Sequence, residues 1–142
     1  MYKELDIYNK VFKLYKEFIT EKDMFGTSIY KKAPQNLSKF PTIVFKEVDN
    51  FNSNFGKTIN NEEFIDELMY SVDIYTKDKI IDGNQYSSEA VMRDLQYLTF
   101  EFFYKMKFNR ESCKPTEYLD ITVDRKTIIF SCTQNSWNGK IN

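Results

Sequence analysis

The residues best placed to do chemistry are Asp120 and Asp124, followed at once by Arg125 and Lys126. Two carboxylates at alternating strand positions point to one face and could hold a Mg²⁺ ion beside a basic pair, the chemistry of a small metal-dependent nuclease. The same spacing is common at an exposed strand edge and its turn, where Asp is expected. Asp73 reads in the same way, as an outward polar position or an ion-pair partner. The chain has no histidine, so general acid–base work near neutral pH would fall to carboxylates. Cys113 and Cys132 lack the neighbours of a zinc site or a Cys–His nucleophile. Asn54-Phe55-Gly56-Lys57-Thr58 approaches a phosphate-cradling loop but lacks its first glycine, and the chain has four glycines in all. The expectation is no catalytic residue, no cofactor and no metal.

Composition points toward one packed domain. At 142 residues the chain can bury a single core, and 13 Phe with 10 Tyr supply it. Net charge is −1, which gives no overall bias toward nucleic acid or anionic membranes. The charge is uneven: residues 1–40 carry eight Lys and five acids, 41–85 four Lys and nine acids, and 86–142 eight basic and seven acidic residues. Unlike faces of this kind can meet when identical subunits pack head to tail. Two distant cysteines form no disulfide framework and predict reduced thiols, although a hairpin of 117–123 and 126–134 could bring Cys113 near Cys132. No apolar run is long enough to span a bilayer, and Met1 to Asp6 has no signal-peptide pattern, so no membrane association is expected.

Apolar spacing at steps of three and four predicts an N-terminal helix over 4–20, through Leu5, Tyr8, Phe12, Tyr15 and Ile19, with a second row at Ile7, Val11, Leu14 and Phe18. Residues 21–41 read as irregular. A strand over 42–48 follows Phe40-Pro41, with apolar residues on both faces, which predicts an interior place in a sheet. A second strand spans 64–76, and the two are expected to pair as a hairpin. Between them, 49–61 is a long Asn-rich loop carrying Phe51, Phe55 and Lys57; its aromatics either plug the domain's own core or meet a partner. Residues 77–86 read as a polar link with a turn at Asp82-Gly83-Asn84. Ser87 or Ser88 caps a helix over 88–106 lined by Val91, Leu95, Leu98, Phe102 and Met106. Residues 117–123, with Leu119, Ile121 and Val123 alternating, and 126–134 read as a second hairpin turning at Asp124-Arg125. The tail over 135–142 is polar except for Trp137 and Ile141. The sum is an α+β fold: one domain over 1–142, with an antiparallel or mixed four-stranded sheet and two main helices packed on it.

Three short segments carry a family resemblance. Phe40-Pro41 before an alternating strand, Val72-Asp73-Ile74-Tyr75-Thr76, and Met106-Lys107-Phe108-Asn109-Arg110 after a long helix occur in an order that resembles the tail-terminator and head–tail joining proteins of long-tailed bacteriophages. Over roughly 40–134 the likeness follows their first strand entry, second strand and post-helix segment. That segment usually reads Gly-Phe-x-Arg; Lys107 stands in place of the glycine, so Asn109 is the alternative left-handed residue.

The resemblance implies a structural virion protein assembled in the host cytoplasm. It forms a ring, commonly hexameric, at the head-proximal end of the tail tube, ends tube polymerisation and joins the tail to the head connector. Its partners would be further copies of itself, the tube protein and head-completion proteins, with DNA passing through an acidic lumen unbound. Another neck component, a connector adaptor or stopper, fits the same pattern. Under this reading Phe51, Phe55, Lys57, Trp137 and Ile141 are the candidate interface residues.

Overall fold

The structure, a computed structural model, describes residues 2–48 and 67–133. In chain order these form α1 (Tyr2–Lys22), β1 (Ser28–Tyr30), β2 (Thr42–Glu47), β3 (Glu67–Thr76), β4 (Lys79–Ile81), β5 (Asn84–Tyr86), α2 (Ser88–Lys105), β6 (Asn109–Thr116) and β7 (Asp124–Thr133). The α+β class holds, but among the described residues the main sheet has five strands where four were expected. Its order is β1-β2-β3-β7-β6, with β1 parallel to β2 and the other pairs antiparallel, and β4-β5 stands apart as a hairpin. β2 and β3 pair as expected, and β2 is interior, between β1 and β3.

Strand alternation sorts the sheet into two faces. Ile43 and Phe45, Leu68, Tyr70, Val72 and Ile74, and Ile128, Phe130 and Cys132 all enter one core under the helices. α1 contributes Tyr8, Val11, Tyr15 and Ile19 at steps of three and four; α2 contributes Val91, Leu95, Phe102 and Phe103. The hydroxyls of two core tyrosines, Tyr8 and Tyr15, find acceptors, as burial favours: Tyr8 donates to the Phe45 carbonyl at 2.7 Å. Thr99 Oγ1 donates to the Leu95 carbonyl, so the 2.8 Å contact with Tyr15 is donated by Tyr15. The opposite face carries a small second core of Val44, Tyr75 and Val123, joined by Leu37, Phe40 and Tyr118.

Burial, with Glu47 adding to it, pushes the Tyr8 hydroxyl up to about 12, and burial raises that of Tyr15 further. A group whose folded pKa exceeds its unfolded value of about 10 stabilises the fold fully below that value and loses the contribution as pH rises through the folded pKa. Thermal midpoints are therefore expected to hold to about pH 9.5 and fall between about pH 10 and 12. Tyr15→Phe should cost about 1 kcal/mol at neutral pH from the lost hydrogen bond, yet flatten this alkaline slope.

Local signals explain the ends of the elements. Ser87 caps α2, its Oγ accepting from Ala90 N at 3.1 Å, with Glu89 in the first turn and Lys105 in the last. At the C-terminus Phe108 N donates to the Phe103 carbonyl and Lys107 N to that of Tyr104, at 2.9 and 3.0 Å, the paired bonds of a Schellman ending. Lys107 itself occupies the left-handed region, φ 70°, while Asn109 begins β6, contrary to the expectation for Asn109. Phe108 packs edge-on against Phe103 at 5.3 Å, completing the motif. A side chain at that φ costs about 1 kcal/mol or slightly more, so Lys107→Gly should raise stability by about 0.5–1 kcal/mol, measurable in urea titrations.

The region read as a link over 77–86 is a hairpin, because Asp82 (φ 51°) and Gly83 (φ 82°) both adopt the positive φ of a two-residue primed turn. The region read as irregular over 21–41 holds β1. The largest correction concerns the last hairpin. Residues 117–123 are not a strand: they form the loop joining β6, at Asn109–Thr116, to β7, and Asp124 and Arg125 lie inside β7 instead of at its turn. Cys113 pairs with Ile128 while Cys132 pairs with Leu68, four residues further along β7 or about 13 Å away. Neither Cys113 nor Cys132 forms a disulfide with another described residue.

Candidate functional site

The loop over 117–123 is held from both sides while its tip is offered to solvent. Tyr118 meets Tyr75 edge-on at 5.3 Å, and Val123 is buried beside Tyr75 and Val44. Between these anchors the Asp120 carboxylate accepts from Thr122 N at 2.9 Å and from Thr122 Oγ1 at 2.7 Å, and Val123 N donates to the Asp120 carbonyl at 3.0 Å. These bonds close an Asp-initiated turn. Lys77 approaches the second carboxylate oxygen at 3.5 Å. The two hydrogen bonds from Thr122, helped by Lys77, hold the Asp120 carboxyl below its ordinary pKa. The consequence is that Leu119 and Ile121 point outward, 99% and 95% exposed. Single exposed aliphatics are unremarkable on any surface; two of them on a pinned turn form a preorganised apolar knob.

Beside the knob, on the face of the sheet opposite the core under α1 and α2, runs a polar relay. Thr116 Oγ1 lies 2.8 Å from Thr127 Oγ1, Thr127 donates to Asp73, and Arg125 approaches the other Asp73 oxygen at 3.4 Å. The Arg125 guanidinium also lies over the Tyr75 ring, 5.3 Å from its centroid. Asp73 is buried, so it is the ion-pair partner that its sequence position allowed and not an outward polar residue.

The two acids proposed as a metal pair are not brought together as one constellation. Asp120 belongs to the loop turn. Asp124 opens β7 and lines a shallow cavity of about 360 Å³ with Glu89, Arg93, Gln96 and Lys126, where Lys126 donates to Gln96 at 2.7 Å. Among the described residues no group of three or more His, Cys, Asp or Glu is arranged to hold a metal ion. No helix among them is long and apolar enough to cross a membrane.

A second surface feature lies toward the other end of the sheet. Phe100, Tyr104, Phe108, Arg110 and Phe130 line an open groove of about 300 Å³ between the C-terminal half of α2 and β6. Phe108 and Phe130 form its buried floor, Tyr104 stands 81% exposed on its wall, and Arg110 lies over the Phe100 ring at 4.7 Å.

The expected interface residues Phe51, Phe55, Lys57, Trp137 and Ile141, with the loop over 49–61 and the tail over 135–142, lie outside the described residues. What sequence reading missed is the role of Leu119 and Ile121. Their alternation with Asp120 and Thr122 imitates a half-buried strand. The Asp120-x-Thr122 pair, a turn-forming combination, is the signal that separates the two readings. Compared with protein-family models and with curated proteins, the chain matches none.

Proposed function

We propose that this chain is a structural assembly subunit of the phage neck, a tail terminator that associates with copies of itself in a ring on the head-proximal end of the tail tube, ends tube growth and joins the tail to the head connector. The observation that carries this reading is the knob: two aliphatic side chains held almost fully in solvent by a turn whose flanks are fixed. Such a surface gains free energy only when another molecule covers it, at about 25 cal/mol per Å² of apolar area removed from water. The three segments of resemblance add the phage-neck setting of the assembly.

The edges of the sheet favour association through side chains over strand addition. β1 has three residues, and β6 carries Pro115, which cannot donate to a ladder, and an extra residue, Glu111, between Arg110 and Ser112. Lys114 and Glu111 are exposed along the same edge. The test is direct. Purified protein is examined by light scattering and negative-stain imaging, alone and with tail tubes; rings, or caps at one tube end with tube length then fixed, are expected. A protein that stays monomeric and leaves tube growth unchanged defeats the reading.

A further inference from the structure

We infer that the Leu119–Ile121 knob of one subunit seats in the Phe100–Tyr104–Phe108–Arg110–Phe130 groove of the next copy, an assignment that rests on the self-assembly reading above and adds the surfaces to it. Three observations choose a second copy as the occupant. The first is placement. The knob follows the last residue of β6, Thr116, whereas Arg110 at the groove stands near the start of that strand, so the two features are about 20 Å apart along one edge strand. A protrusion and a recess at different places on one subunit make a heterologous contact, which propagates head to tail and closes into a ring when the rotation allows.

The second is fit. The groove is open, apolar on its floor and about 300 Å³ in volume, which has room for two four-carbon side chains. Tyr104, exposed on the wall, offers the flat aromatic surface that aliphatic anchors favour. The third is charge. Glu117 is exposed beside the knob, and Asp120 lies within it; exposed Arg110 lines the groove. Opposite charge at the rim fixes the register of an apolar contact and speeds encounter. Within one subunit Asp120 is already matched to Lys77, which leaves Glu117 as the carboxylate available to the neighbouring Arg110.

The test uses two double variants of the full chain at exposed positions, so that the monomer fold, checked by circular dichroism, is kept. Leu119→Asp with Ile121→Asp removes the knob; Tyr104→Asp with Arg110→Glu removes the groove. Sedimentation velocity is run across a concentration series into the high micromolar range. Wild type is expected to form higher oligomers, and each double variant alone to stay monomeric. Single Leu119→Ser or Ile121→Ser should weaken association about tenfold to a hundredfold, the loss of one buried aliphatic anchor. An equimolar mixture of the two double variants retains one intact knob and one intact groove, so it should give a dimer and nothing larger. Rescue of Arg110→Glu by Glu117→Lys checks the rim pair. Wild-type oligomers that persist in both double variants overturn this pairing of surfaces while leaving self-assembly intact. A wild type that is monomeric throughout the series overturns the pairing of these surfaces; if it also leaves tail-tube growth unchanged, the self-assembly reading falls with it.

Discussion

Phe103→Ala is expected to lower the unfolding free energy by about 3–5 kcal/mol, the largest loss from any single side-chain truncation proposed for this chain. Phe103 is fully buried and is the point where the layers meet. Its ring stacks on Phe130 of β7 with centroids 4.2 Å apart and planes at 14°. It meets Phe102 at 5.0 Å, Phe108 at 5.3 Å, Tyr15 of α1 at 5.4 Å and Phe45 of β2 at 5.7 Å, each tilted or edge-on. Truncation removes the transfer free energy of a whole ring and leaves a cavity whose walls are other rings held by several neighbours, so collapse into the space is limited. The cavity is apolar and offers a water no partners. A domain typically has about 5–15 kcal/mol of stability, so this variant should be marginal or unfolded at 37 °C. Urea denaturation followed by tyrosine fluorescence measures it. Phe18→Ala, at a half-buried position on α1, should cost clearly less; equal losses would contradict a core centred on Phe103.

The same rings explain how much of this fold was legible in the sequence. Both helices and strands β2 and β3 announce themselves because their buried positions are filled by large apolar residues at a regular period: Tyr8, Val11, Tyr15 and Ile19 in one case, Leu68, Tyr70, Val72 and Ile74 in the other. β6 does not. Its sequence, Asn-Arg-Glu-Ser-Cys-Lys-Pro-Thr, shows no alternation, because an edge strand is held by its ladder to β7 and lends only Cys113 to the rim of the core. Leu119, Ile121 and Val123 alternate well and are not a strand. Of the three only Val123 is buried, and the Asp120 turn decides the backbone there. β1 has three residues, too few for any period to show. The β4–β5 hairpin carries its signal in Asp82-Gly83, a turn readable from sequence whose flanking strands are too short to be read with it.

For the site, the lesson is one of display versus burial. A hydrophobic residue in a sequence is first assigned to the core, because most apolar side chains are buried, yet folded surfaces retain much apolar area. Leu119 and Ile121 could have been separated from core residues only by noticing that an acid and a threonine two apart favour a local turn over a ladder. The groove was beyond sequence reasoning altogether. Its lining comes from α2, the turn after it, β6 and β7, and the Schellman bond from Phe108 N to the Phe103 carbonyl fixes the turn that carries Phe108 into its floor.

Arg125→Met is expected to cost about 2–4 kcal/mol, more than Asp73→Asn at the other end of the same contact. Asp73 is the buried partner, 4% exposed at its side chain against 26% for Arg125. Removing the cation leaves a carboxylate in the sheet with only Thr127 to donate to it, and an uncompensated buried charge is the expensive outcome, worth about 3–5 kcal/mol where both partners are fully buried. The partial exposure of Arg125 admits water and lowers that figure. Methionine keeps most of the packing over Tyr75, so the loss reports charge more than volume. Asp73→Asn removes the charge itself and keeps an acceptor for Thr127, so about 1 kcal/mol is expected. The double variant Arg125→Met with Asp73→Leu should recover most of the loss, because apolar replacement of a buried pair is often neutral or stabilising. The relay continues to Thr116, the residue from which the 117–123 loop departs, and Arg125 covers Tyr75, on which Tyr118 rests. Breaking the pair should therefore loosen the loop as well as the fold. Hydrogen exchange at Thr122 and Val123 amides should quicken in Arg125→Met under conditions where the α2 amides stay protected. If the two single losses are small and simply add, the Asp73–Arg125 contact is a surface pairing without structural weight, and the rigidity of the knob has another source.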